Sequence, residues 1–258
     1  MPGRACPTRL QENMLLWFLP LAAAVFGAAI LRGLTGFGFA LAAVPLMSLT
    51  IEPRKAVASA ILLQVIIGFR DLVQLHGSYD RAEVLRLSLG SVLGMPFGIA
   101  ALALFDPDAG RLAIAAVSLA GLGMMLRRPQ RQRAPGRGVA LAAGALSGLF
   151  GSLAAMPGPP TVAYFVASGT PAARARASMM IFFFVSALIT LPGLAIAGAV
   201  DPGTLGLSLA VLPCLILGTW IGRRLFLRLE ARHYRGLALG VMALSAGLAG
   251  ARALAGLL

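Results

Sequence analysis

The chain has 258 residues, of which 59% are hydrophobic and only 12% charged, with a mean hydropathy of +0.87. A soluble domain carries about a quarter charged residues. The apolar runs here are continuous rather than alternating, so soluble folds and outer-membrane barrels are both excluded. The net charge of +13 sits in arginines between apolar runs, without the aromatic pattern of an RNA binder, so membrane topology rather than nucleic acid accounts for it.

In chain order, residues 1–13 form a polar tail, and a first apolar stretch at 14–49 follows. It contains "RGLTGFGFALAAVP" (32–45), in which Arg32 and several glycines interrupt the apolar run. Three ordinary spans are predicted at about 56–75, 84–105 and 108–126, each near the 20 residues a bilayer requires. A basic linker, 127–138, leads to a second long stretch at 139–168, and spans at about 177–199, 204–222 and 236–257 complete the chain. The second stretch is uncharged from Val139 to Val166, yet "AAMPGPPTVAY" (154–164) places three prolines and a glycine inside it. Proline removes a backbone donor and clashes with the preceding turn, so the helix must break there.

The two halves match in order. "LTG" (34–36) matches "LSG" (146–148), and Pro45 matches Pro157 at the same offset of 112. Pro53 then matches Pro171, Gly94 and Gly98 match Gly218 and Gly222, and Asp106 and Arg111 match Glu230 and Arg235. Such ordered self-similarity indicates a duplicated unit, 14–126 and 139–258.

The basic residues orient the copies. If each long stretch crossed once, Lys and Arg would divide eleven to ten between the two faces, with no bias. If each enters and turns back, one face receives Arg70, Arg81, Arg86, the arginines of 127–137, Arg174, Arg176 and those of 223–235. The other then holds only Arg4, Arg9, Arg54, Lys55, Arg111 and Arg252, a split of fifteen to six that obeys the positive-inside rule. The predicted fold is therefore an all-α integral membrane protein of two inverted repeats. Each repeat is a re-entrant or broken helical hairpin followed by three transmembrane helices, with both termini outside.

Inverted repeats with broken segments in corresponding positions are the mark of secondary transporters. Half-helix N-termini carry unpaired N–H groups and partial positive charge, which suits an anion. The candidate substrate-binding residues are Arg32, Thr35, Gly36, Phe37 and Gly38 in the first break. In the second they are Ser147, Gly148, Gly151, Ser152, Pro157, Gly158 and Pro159. These glycines either line a site or let helices approach closely, as Gly94/Gly98 and Gly218/Gly222 are expected to do. Gln64 is a lone mid-span amide that serves as helix glue or as a donor to substrate. Asp71, next to Arg70, is either an anchoring ion-pair member or a carboxylate that couples transport to protons. Arg32 attracts an anion or snorkels to an interface. Arg174 and Arg176 are expected at lipid headgroups, and Phe182, Phe183 and Phe184 in packing.

Cys6 and Cys214 imply neither a disulfide nor a metal site, His76 and His233 fall in charged loops, and no cofactor is expected. Neither hairpin contains Asp, Glu or His, which argues against a membrane-embedded lipid-phosphate enzyme. A passive anion channel stays open as an alternative.

The runs "GLTGFGFALAAVP" and "SGLFGSLAAMPGPP" resemble the signatures of the TauE/SafE sulfite-exporter family, also described as four-toluene-sulfonate uptake permeases, over about residues 14–257. The family's usual glycine triplet is replaced here by Gly36-Phe37-Gly38-Phe39. The resemblance implies a multi-pass permease of the bacterial cytoplasmic membrane that moves sulfite, a sulfonate or a related small anion; the expected partners are that anion, the lipid bilayer and a second copy of the chain in a homodimer.

Overall fold

A computed structural model describes residues 7–35, 38–126, 136–226 and 247. Among these, all regular structure is helical: α1 (Pro7–Thr35), α2 (Phe39–Met47), α3 (Pro53–Gln74), α4 (Arg81–Leu104), α5 (Pro107–Leu126), α6 (Arg137–Ala154), α7 (Gly158–Ala167), α8 (Ala172–Ile196) and α9 (Pro202–Phe226). Five of them, α3, α4, α6, α8 and α9, are long and apolar enough to cross a bilayer, and Phe18–Leu34 of α1 adds a shorter apolar run. The fold is that of a multi-pass all-α membrane protein. The predicted span at 236–257, residue 247 apart, and most of the 127–138 linker lie outside the described residues.

Local chemistry sets the helix starts. Three of them carry an acid followed by proline: Glu52-Pro53, Asp106-Pro107 and Asp201-Pro202. Proline is suited to the first helical position because its missing N–H would have had no partner there. Asp106 accepts from the Ala109 N–H at 2.7 Å and Asp201 from the Thr204 N–H at 2.5 Å, each satisfying an orphan donor. Asp80 caps α4 in the same way, accepting from Ala82 and Glu83.

Asp201, in the turn between α8 and α9, has a measurable consequence. The Thr204 backbone N–H, the Thr204 hydroxyl and Lys55 hold its carboxyl down at about 2. A depressed carboxylate stabilises the fold above its unfolded value of about 4, and that contribution disappears as pH falls towards 2. Asp201→Asn is therefore expected to flatten the acid side of a thermal-midpoint-versus-pH curve. A curve unchanged in that window would count against the cap.

Contacts between helix ends sort the bundle into two faces. On one, Arg223 of α9 donates to the Gln74 side chain at the end of α3, Ser178 of α8 accepts from the Asp80 N–H, and Tyr164 of α7 donates to Glu83 of α4. This face carries Arg70, Arg81, Arg86, Arg174, Arg176, Arg223 and Arg224 and is called the basic face below. On the opposite face Arg54 of α3 donates to carbonyls at the end of α4, Lys55 pairs with Asp201 at 3.1 Å, and Arg111 of α5 donates to the Ser48 carbonyl after α2.

Among the described residues the two most extensive helix contacts are α4 with α6, and α1 with α9. Both run parallel, and both are closed by glycines. A Cβ on Gly94 would lie 1.8 Å from the Ala145 carbonyl oxygen, and one on Gly222 would lie 2.2 Å from that of Ile30. Gly90, Gly98 and Gly144 serve the first seam, and Gly33 and Gly218 the second. Small residues let helix backbones touch where lipid provides no hydrophobic drive for association. Between the pairs, α3 packs on α8, where the Phe184 ring fills the space over Gly68.

These directions place the two breaks. Helix α1 runs towards the basic face, and after the break α2 returns to the opposite face, where Ser48 meets Arg111. Helix α6 starts at the basic face beside α4, and α7 returns to it, where Tyr164 reaches Glu83. The two broken helices thus enter from opposite faces. Large apolar side chains point outward along α4 and α9, among them Leu93, Phe97, Leu209 and Leu217, as expected of lipid-facing surfaces.

Candidate functional site

The second hairpin turns over Ala154–Pro157. Ala155 there has φ +56°, and among the described residues it is the one non-glycine in the left-handed region. Gln64 supports it: its side-chain amide donates to the Ala155 carbonyl at 3.1 Å. A carbonyl exposed by the break is thereby satisfied in an apolar setting, where an unpaired group costs several kcal/mol. The Ser147 and Thr161 hydroxyls share a hydrogen bond of 2.8 Å, and Thr161 also donates to the Pro157 carbonyl at 2.9 Å. Ser147 therefore ties α6 to α7.

The first break is approached differently. Gly38 caps α2 with φ +98°, so the chain turns sharply into the half-helix. Gly36 and Phe37 lie outside the described residues, as does the Thr35 side chain. The start of α2 faces the α6–α7 turn across a crevice of about 20 Å³, lined by Arg32, Gly38, Phe39, Gln64, Pro157, Gly158 and Phe183 among others. That is room for about one water molecule. The two breaks meet inside the bundle.

The N-termini of the two half-helices are not equivalent donors. Pro157 is the cap residue of α7, and Pro159 and Pro160 occupy its first turn. Of the N–H groups normally left free at a helix start, only that of Gly158 remains. The expectation that both half-helices present a set of N–H donors is therefore corrected: α2 keeps the donors of Phe39 and Ala40, and α7 does not. The prolines instead make α7 a rigid wall.

Other candidates also sort by geometry. A Cβ on Gly148 would lie 2.2 Å from the Ser91 carbonyl oxygen, so Gly148 belongs to the α4–α6 seam. Ser152 donates to its own helix at Gly148 and approaches the Met95 carbonyl of α4. Pro159 packs on α5, over Gly121. Gly151 sits against Pro157 and Ser186, beside the crevice. These four shape the hairpin, whereas Arg32, Gly38, Gln64, Pro157 and Gly158 line the crevice itself.

Towards the basic face the bundle opens into a cavity of about 680 Å³. Among the described residues, five arginines line it, Arg32, Arg70, Arg176, Arg223 and Arg224, with Asp71 the single acid. Arg32, 6% exposed, and Asp71, 8% exposed, form a buried ion pair between the ends of α1 and α3. Asp71 thus pairs with Arg32, 39 positions away, rather than with its neighbour Arg70. Arg224 lies over the Trp220 ring, 3.9 Å from its centre. Arg176 joins this cavity, while Arg174 faces outward.

Arg32 lines both spaces and separates them. Beyond the crevice, towards the opposite face, Ile61, Gln64, Ala155, Ser186 and Thr190 close together without room for a water. Among the described residues, the open space lies on the basic-face side of Arg32.

Sequence reasoning passed over Arg70, Arg223, Arg224, Thr219 and Phe183 as site residues. The arginines had a signal, their common placement at one predicted face. Phe183 had none, since an aromatic in an apolar span reads as packing.

The sequence model of the family described as Sulfite exporter TauE/SafE matches residues 21–248. A search of curated proteins gave no match, and a search of solved structures gave none. The family is one of membrane transporters for sulfite-like anions, and the match covers every described residue that lines the cavity and the crevice between the breaks. The chain belongs to the TauE/SafE sulfite exporter family.

Proposed function

We propose that the protein is a secondary transporter for a small sulfur oxyanion, sulfite or a sulfonate, working by alternating access. The observation that carries this reading is the position of Arg32, which faces a wide arginine-lined cavity on one side and the crevice between the broken helices on the other. In this mechanism the cavity gathers the anion by charge, since low-dielectric walls of one sign raise its local concentration. Arg32 then receives it through paired N–H donors that match oxyanion geometry. The crevice completes the site with the α2 N-terminus, Phe39 and Ala40 contributing N–H groups and the helix dipole, and with the Gln64 amide.

The tight packing around Ile61 and Thr190, beside a cavity that opens on the basic face, supports reading this as the conformation open to that face. A carrier needs such a state and its mirror, and matched helix pairs support that exchange. Each pair joins one helix from each repeat, the repeat carries α1–α9 onto α6–α4, and the two breaks enter from opposite faces. Rocking one parallel pair against the other across α3 and α8 then opens the second face. The basic face is assigned to the cytoplasm by its arginines, which puts the start of α1 outside.

Purified protein titrated with sulfite, sulfate, thiosulfate, sulfoacetate and simple carboxylates is expected to gain thermal stability with the sulfur oxyanions. A ligand at about 100 times its Kd adds about 2.7 kcal/mol by mass action. In membrane vesicles, accumulation against a gradient that a protonophore abolishes distinguishes a carrier from a channel. Equal, small effects from all five anions would rule out a specific site.

A further inference from the structure

The buried ion pair has chemistry that a structural anchor does not require. It lies at the boundary between the two spaces rather than inside a packed core, and both its members line the cavity. Asp71 contributes a carboxylate, an oxyanion of the same recognition class as a sulfonate or sulfite, and it stands where an arriving anion must meet Arg32. A buried guanidinium without a counter-ion is costly, so an empty carrier needs a negative group at that point.

We infer that Asp71 is a tethered surrogate for the transported anion: its carboxylate holds Arg32 in the empty carrier and gives it up when the substrate binds. The exchange leaves Arg32 neutralised throughout. The displaced carboxylate stays among positive charge, since Arg70 on its own α3 and Arg223 on α9 line the same cavity. The surrogate also explains how release is possible, because the carboxylate competes the substrate off a strongly basic wall.

This inference rests on the anion-transport reading and deepens it. A self-competing carboxylate lowers apparent affinity by the fraction of time Arg32 is free. Asp71→Asn is therefore expected to bind sulfite and sulfoacetate about tenfold more tightly than the unaltered protein, a size set by a pair closed roughly nine-tenths of the time. Uptake in vesicles should show KM and kcat falling together, because release slows when the competitor is gone. A merely structural pair would lower kcat without lowering KM. Asp71→Ser must show the same tightening, and Arg32→Gln must lose binding.

Should both neutral Asp71 variants fail to fold alone, sulfite present during purification is expected to rescue them, since the anion replaces the missing charge. Failure of that rescue overturns the surrogate role, as does unchanged or weaker binding in variants that fold. Absence of binding by the unaltered protein to any of the anions overturns the transport reading itself, so the two failures are distinguishable.

Discussion

Gly94→Ala is expected to cost about 3 kcal/mol or more, the upper end of what overpacking usually does. The added methyl would enter to 1.8 Å from the Ala145 carbonyl oxygen, and the atom it meets is backbone. A flexible side chain can rotate away, but a helix axis can only be pushed aside, which opens the seam along Gly90, Gly98 and Gly144 as well. Gly222→Ala should behave alike, because its methyl would meet the Ile30 carbonyl at 2.2 Å in the α1–α9 seam. Gly206→Ala on α9 is the control: among the described residues nothing lies within 4 Å of its Cβ position, and no loss is expected. Thermal unfolding in detergent checks all three. Equal midpoints for the three variants would refute the close-packed seams.

The second large effect is at the ion pair. Arg32→Gln leaves Asp71 as a buried carboxylate without its partner, a change that costs about 3–5 kcal/mol when one member of a buried pair is removed. The arginines across the cavity soften this, so a loss of about 3 kcal/mol is expected, together with loss of anion uptake. The double variant Arg32→Met, Asp71→Leu should recover most of the stability, because apolar groups of similar size need no counter-charge. It should recover no transport. A double variant that is stable and transports at the normal rate would remove Arg32 from the path altogether.

Much of the fold was legible in the chain. The break around Pro157 could be read from its prolines, since three missing donors in four residues cannot continue a helix. Helix boundaries were close, at 56–75 against Pro53–Gln74 and 84–105 against Arg81–Leu104. The differences lie at first turns: Pro53, Arg54 and Arg81 belong to helices that begin in the polar interface, where hydropathy is blind to them. The site was legible as a list and not as an arrangement. Arg32 and Gln64 were identified, but nothing in the spacing joined Arg32 to Asp71. Gly148 and Gly38 look alike in sequence, yet one closes a seam against Ser91 and the other starts α2 at the crevice.

By itself the sequence determined that this is a membrane-spanning helical chain, where its helices break, and which loops carry the positive charge. Those properties follow from local composition: apolar length, proline and glycine stereochemistry, and the cost of burying arginine in lipid. Tertiary structure alone decided which glycines pack and which face space, that the two breaks meet at one crevice, and that Arg32 meets Asp71 beside it. Each depends on which helix lies alongside which, and contacts across 39 or more positions are set by packing, not by any local preference of the chain.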